Sequence, residues 1–115
     1  MLSRYLNRSS VITVIVGIAL LPGQATAMSD ADVDKLTTYA VMLGRGLACG
    51  VDTTGASKKV GAWLNRIAPP GSKDQQIYLP LLMQGMMYHG ERQKEGKNPD
   101  SCATVHRVFG QIPWP

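Results

Sequence analysis

The chain has only two cysteines, Cys49 and Cys102, and their spacing is the strongest constraint on its fold. A bond between them would close a loop that holds most of the apolar residues beyond position 27. There is no Cys-x-x-Cys motif, which argues against a redox pair or a zinc site. Because exported proteins fold in an oxidising compartment, two cysteines there indicate a structural disulfide. We therefore predict a Cys49–Cys102 bridge, with two free thiols as the alternative.

The first 27 residues have the pattern of a secretory signal peptide. Arg4 and Arg8 give a basic start, an apolar run covers 11–21, and a small-residue tripeptide stands at 25–27. An uncleaved membrane anchor is the alternative. A helix over that run would span only about 17 Å, however, and a bilayer core is about 30 Å thick. The sequence therefore predicts cleavage after Ala27, a protein that is periplasmic or secreted, and no membrane span after cleavage.

The predicted mature chain, 28–115, has room for a single domain. A core of that size is marginal without a covalent tie. The full chain has 12 Lys and Arg against 8 Asp and Glu, and without Arg4 and Arg8 the balance is 10 against 8, a net charge of +2. That excess is weak, and 58–59 is the only adjacent Lys/Arg pair, so we expect no nucleic acid partner.

Apolar residues recur at helical spacing, and no stretch alternates as a strand would. The predicted helices cover 30–49, 54–67, 73–95 and a short 99–109. Ser29 and Ser72 are expected caps, and Asn98 followed by proline marks the start of the fourth helix. The predicted fold class is all-α: a small bundle of three to four helices, stapled by one disulfide, with a non-helical tail at 110–115.

The same spacing predicts which side of each helix is buried. In the first helix the expected core residues are Val33, Leu36, Ala40, Leu43 and Leu47; in the second, Ala56, Val60, Trp63, Leu64 and Ile67; in the third, Ile77, Leu81 or Leu82, Gly85 and Tyr88. Gln75 stands where it would complete a capping box with Ser72.

No complete catalytic constellation is visible. Acid–base or nucleophilic catalysis needs a base beside the group that it activates, and only His89 and His106 are available. His106 is four residues from Cys102, but a disulfide would remove that thiol as a nucleophile. We therefore predict a protein that is not an enzyme and has no cofactor.

Methionine is concentrated in the third predicted helix. Thioether and imidazole groups suit Cu(I), and Met83, Met86 and His89 stand at three-residue steps. Methionine also fills irregular cores and lines pliable partner-binding grooves. A metal site at these three residues is thus one hypothesis, beside a core role and a partner-binding role.

Two further residues are candidates for contact with a partner. Arg45 stands between two glycines, where it could remain accessible to a carboxylate or a phosphate. Trp114 lies in the tail, which either packs back over the helices or leaves the indole exposed as a contact surface.

In size and cysteine count the chain is similar to small periplasmic proteins such as the acid-activated chaperones of enteric bacteria. It lacks their density of charged residues, so their activity is not carried over. We expect a small exported non-enzymatic protein that binds another macromolecule, an unknown protein, in the periplasm or outside the cell. A secreted effector or virulence factor delivered to a host cell, a periplasmic copper-handling protein and a small hydrolase are the alternatives.

Overall fold

The computed structural model describes residues 28–115, which contain four α-helices and no strand. The helices are α1 (Asp30–Ala48), α2 (Thr54–Ile67), α3 (Lys73–Lys94) and α4 (Cys102–Phe109). The predicted all-α class and the disulfide between Cys49 and Cys102 are confirmed. The predicted signal peptide, 1–27, lies outside the described residues, and the division into a leader and one domain stays a prediction.

The ends of α1 and α3 follow from their capping residues. The hydroxyl groups of Ser29 and Ser72 accept hydrogen bonds, both of 3.1 Å, from the backbone N–H groups of the third helical residues. After each helix comes a glycine with positive φ, Gly50 at 77° and Gly96 at 69°. Glycine adopts this conformation readily, which lets the last carbonyl groups be satisfied as the chain turns away. Both helices end within one residue of the predicted position.

The fourth helix begins three residues later than predicted. Its cap is Ser101, whose hydroxyl accepts from the N–H of Thr104 at 3.2 Å. Asn98, the predicted cap, instead donates its side-chain amide to Gln93 of α3 at 3.1 Å. Because the side chain of Asn98 is held by Gln93, it does not cap a helix.

The two longest helices, α1 and α3, approach each other at small residues. A Cβ added to Gly85 would lie 2.9 Å from the Cβ of Ala40, and one added to Gly44 would overlap the carbonyl group of Met86. A Cβ on Gly90 would lie 3.1 Å from the carbonyl oxygen of Gly44. The contact moves from Ala40 to Gly44 along α1 as it moves from Gly85 to Gly90 along α3, so the two helices run parallel. At these glycines their backbones are in van der Waals contact.

Aromatic side chains join α1 and α2 to the tail. Tyr39 meets Trp63 edge to face at 5.2 Å between ring centroids, and Trp114 lies 5.5 Å from Tyr39 and 4.9 Å from Phe109. The tail thus packs back on the helices. The predicted core face of α2 is confirmed, with only Ile67 partly exposed.

The disulfide fixes α4 across the end of α1. The Cα atoms of Cys49 and Cys102 are 5.3 Å apart, although 53 positions separate them in the chain. Beside the bridge, the Nε2 of His106 lies 3.0 Å from the carbonyl oxygen of Cys49. Phe109 covers Gly46, where an added Cβ would lie 2.9 Å from the ring. One short helix therefore closes the end of the bundle at which the bridge stands.

Candidate functional site

Helix α3 is apolar on both its buried and its exposed sides. Leu82 is buried against the core, and Tyr78 and Met86 are partly buried there. Its exposed large apolar residues are Ile77 (56 % exposed), Leu79 (41 %), Leu81 (51 %), Met83 (54 %), Met87 (72 %) and Tyr88 (57 %). The prediction that Ile77 and Tyr88 face the core is therefore wrong, and of the two predicted alternatives Leu82 is buried and Leu81 is exposed. The contact of Gly85 with Ala40 turns the side of Leu82 inward instead. Along residues 28–115, no helix combines the length and apolar character needed to cross a bilayer.

The exposed apolar residues of α3 form two separate rows. On a helix of about 100° per residue, Ile77, Leu81 and Tyr88 lie within about 40° of one another, and we call this row the outer stripe. Leu79, Met83 and Met87 fall on the other flank. Each of them is at least about 80° around the helix from every residue of the outer stripe. The two rows can therefore meet different partners.

The second row borders a groove between α1 and α3, which we call the methionine groove. Its volume is about 360 Å³, and its lining residues are Gly44, Leu47, Ala48, Met83, Met86, Met87, Gly90, Glu91 and Lys94. Gly44 and Gly90 have no side chains to fill the space where the two helices meet. The groove thus follows from the same small residues that bring the helices together.

The walls of the methionine groove are exposed apolar side chains. Leu47 is 55 % exposed, so its predicted place in the core is wrong: α3 packs beside Gly44 and leaves Leu47 at the groove's edge. Met83 and Met87 stand on the opposite wall. Their unbranched thioether chains can adjust to differently shaped apolar groups. Such walls are suited to receiving side chains of another molecule.

His89 is not among the residues that line the groove. It is half-buried, and its Nδ1 is buried with no hydrogen-bond partner. Desolvation lowers the pKa of the imidazole, and the positive charges of Arg45 and Arg92 lower it further, which favours the neutral ring. The structure therefore places Met83 and Met86 at the groove and His89 outside it. Among residues 28–115, no cluster of three or more His, Cys, Asp or Glu side chains could hold a metal ion.

Arg45 is turned toward the linker before α4. Its guanidinium lies 3.4 Å from a carboxylate oxygen of Asp100 and 3.5 Å from the amide oxygen of Asn98, and its side chain is 18 % exposed. Gln93 adds a hydrogen bond of 3.0 Å to the carbonyl oxygen of Asp100. These contacts hold the linker against α1 and α3 next to the disulfide. A partner contact at Arg45 stays a prediction; the side chain is mostly buried, and its Nε has no hydrogen-bond partner among residues 28–115.

Trp114 is similarly engaged. Its indole N–H donates to the carbonyl oxygen of Phe109 at 3.3 Å, and the side chain is half-buried. A partner contact there also stays a prediction. Near the tail is a second hollow of about 620 Å³, rimmed by charges of both signs from Asp34, Lys35 and Arg66. That mixture favours no single class of ligand.

The groove is lined both by residues that the sequence predicts as site candidates and by residues that it does not. Met83 and Met86 were candidates from composition, whereas Leu47 was assigned to the core and Gly44 had no predicted place in a groove. Comparison with family models, curated proteins and solved structures finds no match to this chain.

Proposed function

We propose that the chain is a small exported, non-enzymatic protein that acts by binding another protein, and that the methionine groove receives apolar side chains of that partner. The observation that carries the proposal is the exposure of Leu47, Met83 and Met87, each above one half, around a glycine floor. Covering one such half-exposed side chain stabilises a complex by about 1 kcal/mol. Exposed apolar surface around a concave site is typical of interaction sites.

The chemistry of the groove favours a helical segment with bulky apolar side chains as its occupant. Amphipathic helices bind by placing leucine or aromatic anchors into apolar grooves, and methionine walls adapt to such anchors. Glu91 and Lys94 place one charge of each sign among the lining residues, where polar residues beside the anchors can pair with them. The disulfide is compatible with a site of action outside the cytoplasm.

If the chain is an effector delivered to a host cell, its methionine groove would bind a host protein. A reporter fused to the chain separates the two settings. Signal inside host cells supports the effector proposal, whereas confinement to the producing cell's envelope supports a partner there. In both settings the groove is the expected contact.

Photo-crosslinking in intact producing cells tests the groove directly. A photoreactive residue in place of Met87 should yield a covalent adduct with one partner protein, identified by mass spectrometry. The matched control is the same residue in place of Lys58, which is exposed on α2 and outside the groove. Adding Met83→Glu should reduce the adduct at 87 at least about tenfold, because a carboxylate is costly to bury against apolar anchors. No adduct at 87, or equal adducts at 87 and 58, would contradict the proposal.

Copper handling is a second candidate, because three thioethers line the same groove. Met83, Met86 and Met87 are soft ligands of the kind that select Cu(I) and line one groove, whereas His89 of the predicted set is not among the lining residues. Titration of Cu(I) against a competing chelator should show binding that the triple change of these methionines to leucine weakens at least about tenfold. The control variant, His89→Asn, should bind as the wild type does. Equal affinity in the wild type and the triple variant would rule out the groove as a copper site.

A further inference from the structure

The outer stripe of α3 lies on the other flank of the helix and is not used by the proposed groove partner. Ile77, Leu81, Gln84 and Tyr88 follow one another at steps of four, three and four residues. This is the repeat by which two helices pack side by side, and a polar residue within such a seam fixes its register. The stripe thus has the pattern of half of a two-helix interface.

We propose that a second copy of this chain covers the outer stripe, by antiparallel pairing of α3 with α3 about a two-fold axis at Gln84. In this register Leu81 of each copy lies against Tyr88 of the other. The two Gln84 side chains meet at the axis, where each amide can donate to and accept from its counterpart. The result is a closed dimer, because the same surface is used on both copies.

The charges at the two ends of the stripe select the antiparallel direction. Lys73 stands at the start of α3, and Glu91 and Glu95 stand at its end on the same side of the helix. Arg92 also stands at that end, but its guanidinium stacks on the ring of Tyr88 within the chain, 5.6 Å from the ring centroid. Antiparallel pairing places Lys73 of one copy opposite Glu95 of the other, whereas parallel pairing would place like charges together. Glu95 pairs within the chain with Lys97 at 3.2 Å, but both are exposed, so that pair contributes little and can rearrange. This self-complementarity is the reason to infer a second copy.

The size of the stripe fits a weak dimer. Three large side chains that each expose about half of roughly 200 Å² offer about 300 Å² of apolar area per copy. The pair would thus bury about 600 Å² of apolar area, and the polar residues beside the stripe would bring the total toward about 1,200 Å², the lower end of specific interfaces. We therefore expect association in the micromolar range.

Sedimentation equilibrium of the mature, oxidised protein tests this pairing. The wild type should shift from monomer to dimer as its concentration rises through the micromolar range. Leu81→Glu should weaken the dimer at least about tenfold, because it places a carboxylate in the seam. The matched control is Leu79→Glu, two residues away on the other flank and also exposed, which should leave dimerisation unchanged. A wild type that stays monomeric, or equal losses in both variants, would overturn the proposal.

A charge exchange tests the direction of the pairing. Lys73→Glu and Glu95→Lys should each weaken the dimer, and the double variant should restore it to within about twofold, because opposite charges face each other again. A double variant that is no tighter than the single ones would overturn the antiparallel register. Leu81→Glu should not change the photo-crosslink from position 87 to a protein other than a second copy of this chain, which the mass of the adduct distinguishes. The dimer and the groove partner can therefore fail independently.

Discussion

Replacing Cys49 and Cys102 together by alanine should lower the free energy of unfolding by about 4 kcal/mol, because the bridge closes a loop of some fifty residues whose freedom in the unfolded chain it removes. That loss is comparable to the whole net stability of a small domain. It should also loosen α4, whose remaining attachments are the burial of two side chains and a few hydrogen bonds beside the bridge. Val105 and Phe109 are buried, but the helix has only eight residues.

Urea unfolding followed by circular dichroism measures this loss. Fluorescence in a Trp63→Phe background, where Trp114 is the remaining tryptophan, reports the release of α4 and the tail. The wild type with its disulfide reduced is the control and should match the double variant to within about 1 kcal/mol, since both lack the same cross-link. A variant that unfolds at the same urea concentration as the oxidised wild type would show that the packing of α4 alone closes the bundle.

Among the glycines of residues 28–115, Gly44 should be the most damaging position for a change to alanine, at a cost of about 2–3 kcal/mol. The added Cβ would overlap the carbonyl group of Met86, and backbone cannot move aside as a flexible side chain can. The helices α1 and α3 would have to separate, which would open the contact at Gly85 and reshape the methionine groove. Thermal or urea unfolding measures the change.

Gly61→Ala is the matched control, because Gly61 lies within α2 with nothing within 4 Å of the added Cβ. There the substitution should stabilise the protein by about 0.5–1 kcal/mol, since alanine loses less conformational freedom than glycine in a helix. The two variants are thus expected to have opposite signs. A neutral or stabilising Gly44→Ala would contradict the close approach of α1 and α3.

Much of the secondary structure could be predicted because its causes are local. Ser29 and Ser72 cap the helices that follow them, and Gly50 and Gly96 allow the turns that end α1 and α3. These effects act over three or four residues and are visible in the sequence. The start of α4 also has a local cause, the cap by Ser101, but the pair of Asn98 and a following proline is a competing signal three residues earlier. The hydrogen bond of Asn98 to Gln93 is what decides against the earlier start, and it is not visible in the local sequence.

The buried side of α3 could not be predicted, because apolar residues surround most of that helix. Both Leu81 and Leu82 suit a core, and spacing alone does not separate them. What separates them is the contact between Gly85 and Ala40, which joins positions 45 residues apart in sequence. Gln75 likewise does not complete a capping box with Ser72. Its side-chain amide donates to Asn65 at 2.7 Å and to the carbonyl oxygen of Ala68 at 3.1 Å.

The candidate site was predicted only in part, for a related reason. The unusual density of methionine indicated the segment of α3 that lines the methionine groove. Leu47 continues the regular stripe of α1, however, and nothing in the sequence indicates that α3 stops short of covering it. His89 shares the spacing of the methionines but turns inward, since its position on α3 lies nearer the buried side. A groove between two helices depends on their relative placement, which no local pattern encodes.

Oxidative footprinting of the methionines, in producing cells and in the purified mature protein, tests most directly whether the methionine groove is occupied. Dilute peroxide converts accessible methionine to sulfoxide, and mass spectrometry gives the rate at each residue. In the purified protein, Met83 and Met87 should oxidise quickly, and Met42, which is 7 % exposed, should oxidise slowly. In cells, a bound partner should lower the oxidation rates of Met83 and Met87 toward the oxidation rate of Met42. Rates at Met83 and Met87 that are as fast in cells as in the purified protein would contradict the proposed function.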